Sequence, residues 1–432
     1  MLRSLKDRIG QRSPIRLLWH RGKALLAAIR YGFPARRLVV LGITGTDGKT
    51  TTVGMVTHIL RSAGVRVGAA STAFFDTGNG AKENPLHLTS INPFVLQKLL
   101  RTMVKNGCTH AVVEASSHGL VQHRLDWIWP RVAAITNIAL EHLDYHGTME
   151  QYRRDKAILF RMLGGMGTKI LNARDPTFRE YQAIPSERTI VWGDPEVHAP
   201  TKLWLTDTVL QPAESSARVH LASSGSTQSM ELHLKIPGGF NLENALTAIG
   251  CALAVGVSIQ AAVKALGSFA GIPGRLERID EGQPFSVYVD FAVSPQAYEK
   301  ALHTLRGIVG DAGRVMVLCS SCGNRMREKR PEIGRICSEL ADVVVACEDE
   351  TYGEDPHTVL EEVWAGVDQT QCEAHKIFDR REAIRFLLTH ARAGDAVVVC
   401  GMGPFSTMTK LEGRVPWDER IVTRSILQDM RF

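Results

Sequence analysis

An apolar run at residues 37–42 leads straight into Gly45-Thr46-Asp47-Gly48-Lys49-Thr50-Thr51, and helical periodicity follows over residues 50–63. Strand, glycine loop and helix in that order leave few folds open. The arrangement belongs to a parallel sheet whose strands feed helical crossovers. Further apolar runs at 111–113, 132–136 and 169–172 alternate with helical stretches and extend the same pattern.

With 432 residues the chain exceeds one compact core, so two or three domains of roughly 100 to 200 residues are expected. A hydrophobic fraction of 44% and a charged fraction of 22% exclude a disordered or fibrous chain. Short alternating segments such as 203–206 and 230–236 predict antiparallel β structure between 190 and 237. A helix is expected at 241–255 and a second one ending near Gly267. Gly271-Ile272-Pro273-Gly274 is a breaker cluster, and a new strand and helix series follows with strands at Val287, Val315, Val343 and Val397. The expected fold class is α/β: a P-loop ATPase domain on a parallel sheet with a small antiparallel β subdomain, then a Rossmann-like α/β domain. The expected boundaries are 1–37, 38–273 and 274–432.

The net charge of +6 is concentrated in the first 37 residues, where Asp7 is the only acid. Residues 15–31 alternate Leu17, Leu18, Leu25, Leu26 and Ile29 with Arg16, Arg21, Lys23 and Arg30, as an amphipathic helix does. Two readings stay open: a helix lying on an anionic membrane surface, or one packed on its own protein with a basic outer face. No run reaches the roughly 18 to 20 apolar residues that span a bilayer. Eight cysteines scattered through strand-like runs fit a reducing compartment, and Cys319 and Cys322 lack the further ligands of a zinc site.

The loop from Gly45 to Thr51 has what a triphosphate needs. Glycines let the backbone approach, amide N–H groups and a helix N-terminus face the anion, Lys49 neutralises the β and γ phosphates, and Thr50 offers a hydroxyl to Mg²⁺. Ile43 stands where a standard P-loop has its first glycine, so the loop is a shortened variant. Glu114 ends a strand at the edge where ligands bind in such sheets and is a candidate Mg²⁺ ligand. The run from Thr136 to Gly147, with Asn137, Glu141, His142, Asp144 and His146, gathers acids and histidines after another strand, as a metal and phosphate site would.

Five motifs, T-G-T-D-G-K-T-T, E-A-S-S-H-G-L, T-N-I-A-L-E-H-L-D-Y-H-G-T-M-E, F-N-L-E-N-A-L and P-G-R-L-E-R, occur in the order of the Mur ligase signatures. From about Leu38 onward the chain resembles that family, and within it the MurE branch. The resemblance implies ATP and Mg²⁺ as cofactors, with Thr50, Glu114 and His142 as metal ligands. It implies a carbamylated Lys156 as a further ligand and, with Lys49, Glu114 and His142, part of the catalytic set. Asn241 and Asn244 would face adenine, Arg275 would follow the hinge glycine, Asp290 would bind ribose, and Ser116, Ser117 and His118 would face the carboxylate substrate. It also implies the reaction: a carboxylate attacks the γ-phosphate, and an amine displaces phosphate from the acyl phosphate to give an amide.

The sequence departs from that pattern in places. MurE enzymes usually begin with a domain of about a hundred residues that binds UDP, and here a short basic helix takes its place. The amine-selecting loop reads Asp349-Glu350-Thr351-Tyr352 without its arginine, and Gly401-Met402-Gly403-Pro404-Phe405 lacks the acid expected for diaminopimelate. Asp290-Phe291-Ala292-Val293 loses a polar residue, whereas Arg325 and Trp417-Asp418-Glu419-Arg420 keep their places. The first reading is a ligase adding a third amino acid to a UDP-muramoyl dipeptide. Others are a ligase on a free or lipid-borne acid, as in folylpolyglutamate and poly-γ-glutamate synthetases, and an ATP-binding partner subunit without catalysis. The expected partners are a small carboxylic acid and an amino acid, with no nucleic acid. The chain is expected to act as a monomer in the cytoplasm, in contact with the inner membrane face through residues 1–37.

Overall fold

The computed structural model describes residues 10, 12–324 and 326–430, and the chain divides into two compact units. The first comprises residues 1–208, 216–233 and 242–269; the second comprises 209–215, 234–241 and 270–432.

The first unit opens on α1 (Pro14–Tyr31), capped by the Ser13 hydroxyl, which accepts from the Arg16 N–H. The strands that follow are β1 (Val39–Thr44), β2 (Val67–Ala70), β3 (Phe74–Asp76), β4 (Ala81–Glu83), β5 (His110–Glu114) and β6 (Val132–Ile135). They continue with β7 (Thr168–Asn172), β8 (Arg188–Trp192), β9 (Thr201–Leu210), β10 (Ser215–Ser223) and β11 (Ser226–Leu234). All eleven share one sheet in the order β11-β10-β9-β8-β7-β6-β1-β5-β2-β3-β4. From β9 through to β2 neighbouring strands run parallel, whereas β3 and β4 join antiparallel at the edge. The central strands are apolar without alternation because helices cover both faces. Every residue from Val40 to Thr44 is buried, and a Cβ on Gly42 would stand 2.7 Å from a Leu159 methyl. The predicted β subdomain consists of β9 to β11, which continue the edge of this sheet.

The strand expected at 37–42 is found two residues later, at Val39–Thr44, so it runs up to the glycine loop. The helix α2 (Lys49–Ser62) starts one residue earlier than its periodicity indicates, because Gly48 with φ of 77° is its cap. Helix α3 (Pro93–Lys105) packs against α1. The reading of α1 with a basic outer face needs correction. Its buried residues are Ala24, Ala27 and Ala28, while Ile15, Leu18, Trp19, Leu26 and Ile29 point outward.

The second unit is built on a six-stranded sheet, β12-β13-β17-β14-β15-β16, from β12 (Glu277–Ile279), β13 (Ser286–Asp290), β14 (Val315–Cys319), β15 (Val343–Ala346), β16 (Glu373–Lys376) and β17 (Ala396–Cys400). All its neighbours are parallel except β12 and β13. The four valine-rich runs expected from the sequence are β13, β14, β15 and β17, and their side chains form the core with helices such as α4 (Arg380–His390).

Candidate active site

In the first unit the carboxyl ends of β1, β2, β5 and β6 lie side by side, the edge where open parallel sheets bind ligands. β1 delivers the loop from Gly45 to Gly48 there. Both glycines have positive φ, 148° and 77°. A Cβ on Gly45 would stand 1.9 Å from the Thr136 hydroxyl and one on Gly48 2.1 Å from Asn244 Oδ1, so no larger residue fits.

The loop is fixed from the end of β6. Thr46 N–H donates to the Asn137 carbonyl at 2.8 Å, Asp47 N–H to Asn137 Oδ1 at 3.1 Å, and the Thr136 hydroxyl to the Asp47 carbonyl at 2.6 Å. The Thr46 side chain bonds Ala139 and the Tyr152 hydroxyl. Lys49 Nζ donates to the Thr46 carbonyl at 2.6 Å, which holds its cation against the loop. Thr50 and Thr51 are buried in the first turn of α2.

Glu114, 1% exposed at the end of β5, accepts from the Thr50 hydroxyl at 3.0 Å and from both the N–H and the hydroxyl of Thr72. A carboxylate joined to a threonine hydroxyl is an all-oxygen donor pair. It suits Mg²⁺, which takes few protein ligands and fills its octahedron with phosphate and water. Lys156, fully buried, donates to the Gly45 carbonyl at 2.5 Å and lies 4.6 Å over the Tyr152 ring. Burial first and the charge of Lys49 second push its pKa well below the ordinary value, which favours the free amine.

His142 sits with φ of 57° beside Glu141, its ring 4.7 Å from that of His118. Among the described residues no three His, Cys, Asp or Glu side chains converge as a preformed metal cluster. Ser116 caps a short helix (Ser117–Val121) by accepting from Gly119 N–H. Ser117 meets His146 Nε2 at 3.0 Å, and Asp155 bonds His146 Nδ1 at 2.5 Å. Arg12 grips the same carboxylate with both guanidinium nitrogens. Burial would raise the Asp155 pKa, but hydrogen bonds from His146, Arg12 and Gln151 hold it below its ordinary value.

Thr72, Tyr152, Arg12 and Asp155 were not legible as site residues, and His146 was singled out without its bond to Asp155. Thr72 had one signal, its place just past a buried parallel strand. The others depend on partners 106 to 143 residues apart in sequence. Asn244 accepts from Thr52 in the first unit, while Asn241 belongs to the second, where its amide donates to the Pro237 carbonyl.

The remaining candidates also lie in the second unit. Gly274, with φ of 64°, would drive a Cβ to 2.0 Å from the Gly403 backbone, which ties the segment to the loop after β17. Arg275 stacks 4.5 Å over Phe291, and Asp290 accepts from Leu276 N–H at 2.6 Å. Asp349 accepts from the Ser320 hydroxyl at 2.5 Å. Glu350 accepts from Thr409 N–H and the Tyr352 hydroxyl, and burial pushes its carboxyl pKa up. Arg380, fully buried, pairs with Glu419 at 2.6 Å and donates to the Glu348 and Cys400 carbonyls. Burial alone would lower its pKa, but Glu419, Cys347 and Asp349 hold it well above the ordinary value. Arg325 lies outside the described residues.

Loops of this build at the carboxyl edge of a parallel sheet occur in enzymes that work on nucleoside triphosphates, and here they define an ATP-dependent ligase that forms amide bonds. More narrowly, the chain belongs to the Mur ligase family. The Mur ligase middle domain matches residues 43–252, and the Mur ligase glutamate ligase domain matches residues 274–403. It is 34% identical over 417 residues to the UDP-N-acetylmuramoyl-L-alanyl-D-glutamate–2,6-diaminopimelate ligase of Geobacillus thermodenitrificans, covering 95% of this chain and 83% of that one. It is 35% identical over 427 residues to the UDP-N-acetylmuramyl-tripeptide synthetase of Roseiflexus sp., covering 95% and 82%. A solved UDP-N-acetylmuramoyl-L-alanyl-D-glutamate–2,6-diaminopimelate ligase superposes with a TM-score of 0.61 at 29% identity, over 91% of this chain and 79% of that one.

Proposed function

We propose that the protein joins the free carboxylate of UDP-N-acetylmuramoyl-L-alanyl-D-glutamate to a third amino acid, in the synthesis of a peptidoglycan precursor. The observation that supports this most is similarity across 95% of the chain to a ligase named for that acid, together with the glycine-bounded loop.

The loop amides from Gly45 to Thr51 and Lys49 hold the β and γ phosphates of ATP, in line with the attacking carboxylate. Thr50 and Glu114 would hold Mg²⁺, with His142 and a carbamylated Lys156 as candidate ligands of a second ion. The metal, when bound, neutralises charge on the transferring phosphoryl group. The burial that lowers the Lys156 pKa favours the carbamate, because it is an uncharged amine that adds to CO₂ and then releases a proton. Asn241 and Asn244 would face adenine and Asp290 would bind the ribose, while Asn137 holds the loop backbone at Asp47. Ser116, Ser117 and His118 orient the acid, whose oxygen bonds the γ-phosphorus while ADP leaves. The amine nitrogen then attacks the acyl carbon, phosphate departs, and an amide remains. Asp349 and Glu350, with Arg325, read the amine. The enzyme acts as a monomer in the cytoplasm, close to the inner membrane face.

The test is ATP turnover by the full chain with UDP-muramoyl dipeptide and lysine, diaminopimelate or other amino acids in turn. Phosphate release that needs both acid and amine supports the reading. Turnover only with an acid lacking UDP would replace it by the folylpolyglutamate-type reading.

A further inference from the structure

Helix α1 buries small residues and displays large ones. Ala24, Ala27 and Ala28 are at most 1% exposed, while Ile15, Leu18, Trp19, Leu26 and Ile29 are 55% to 74% exposed. At about 100° per residue these five fall within an arc of about 100° on one side of the helix. Arg16, Lys23 and Arg30 lie along one flank of that stripe and Arg21 along the other, and α1 contains no acid. A soluble protein that presents such a stripe has something to cover it.

A second feature adjoins the stripe at its carboxyl end. A cavity of about 480 Å³ has Ile29, Arg30, Lys98, Arg101 and Lys105 in its lining. Four of these are cations and none is an acid, so the pocket suits an anionic phosphate group. Ile29 belongs to both features, which places an apolar ridge and a cationic pocket on one continuous surface. Aromatic rings adjoin it: Phe33 meets Trp127 edge-on and lies tilted against the exposed Trp129, and Arg36 lies over both Phe33 and Trp129. Tryptophan and arginine together are the residues favoured where hydrocarbon meets headgroups.

We infer that α1 and the pocket beside it form a docking face for an anionic lipid bilayer, with the ridge seated among acyl chains and the pocket on a lipid phosphate. This names the membrane partner within the proposed function. Charge decides between occupants. A second copy of the chain would set the same four cations of the pocket and those of α1 against themselves, whereas an anionic leaflet attracts every one of them. The apolar stripe is too short and too interrupted by charge to cross a bilayer, so the helix lies in the interfacial plane.

The experiment is co-sedimentation of the full chain with vesicles of phosphatidylcholine containing about a third phosphatidylglycerol, against pure phosphatidylcholine. Binding is expected to the anionic vesicles alone. Leu18→Glu with Trp19→Glu should lower it at least about tenfold, and Lys98→Glu with Arg101→Glu should lower it several-fold. All four positions lie outside the phosphate cradle, so ATP turnover in solution stays at the parental level. Equal binding to both vesicle types, unchanged binding by the variants, or a dimer dissolved by the Leu18 and Trp19 changes would overturn the inference. Vesicle binding without carboxylate-dependent ATP turnover would leave this face intact and remove the proposed function.

Discussion

The cradle of the first unit and the polar cluster of the second lie at the same kind of place, the carboxyl edge of a parallel sheet, but are built from different materials. Around Gly45 and Gly48 the donors are main-chain amides, and the side chains of Thr136, Asn137 and Thr46 hold that backbone in position. Around Asp349, Arg380 and Glu419 the groups are charged side chains that compensate one another out of solvent. A site of amides tolerates change poorly at its glycines. A site of charges fails when one partner is removed.

The largest expected effect on folding follows from the second case. Glu419→Ala leaves the Arg380 guanidinium buried without its carboxylate, and should cost about 3–5 kcal/mol in denaturant unfolding of the second unit. Comparable destabilisation by Glu382→Ala, an exposed residue of the same helix as Arg380, would erase the distinction. The largest expected effect on turnover belongs to the first unit. Lys49→Ala should lower kcat/KM for ATP by about 10³-fold, or about 4 kcal/mol, with an unchanged melting temperature. Gly48→Ala should raise the KM for ATP by about tenfold, because the strain of a left-handed residue and a methyl against Asn244 both act on the loop.

Two smaller effects sharpen the contrast. Lys156→Met removes a buried amine whose ammonium form is disfavoured, and should raise the melting temperature by a few degrees while turnover falls. In the second unit Arg330 hydrogen-bonds Glu354 and holds its carboxyl down to about 2 from an ordinary 4.5. The folded chain therefore binds fewer protons than the unfolded one between those values. The stabilisation is present above pH 4.5 and is lost as pH falls toward 2. Glu354→Gln should flatten the acid limb of a melting-temperature profile in that window, because it lowers the melting temperature at neutral pH and leaves it nearly unchanged near pH 2.

The same contrast explains what the sequence made legible. A backbone site needs glycine, lysine and threonine at fixed spacing, so residues 45–51 could be read directly, together with the strand before them and the helix after. Glu114 could be placed because a strand end is a local feature. Thr72, Tyr152, Arg12 and Asp155 could not, since their meaning comes from partners brought together only by the fold. For α1 the amphipathic pattern was visible but not which face turns inward. Three alanines against α3 decide that, and alanine is neutral in a hydropathy pattern.

In the proposed reaction the cradle makes an acid's oxygen part of a phosphate leaving group. Supplying the acid substrate with oxygen-18 in its carboxylate and analysing the released inorganic phosphate tests it most directly. One labelled oxygen should pass into each phosphate, dependent on Lys49. Unlabelled phosphate with the label retained in full by the amide product and unreacted acid would contradict activation through an acyl phosphate.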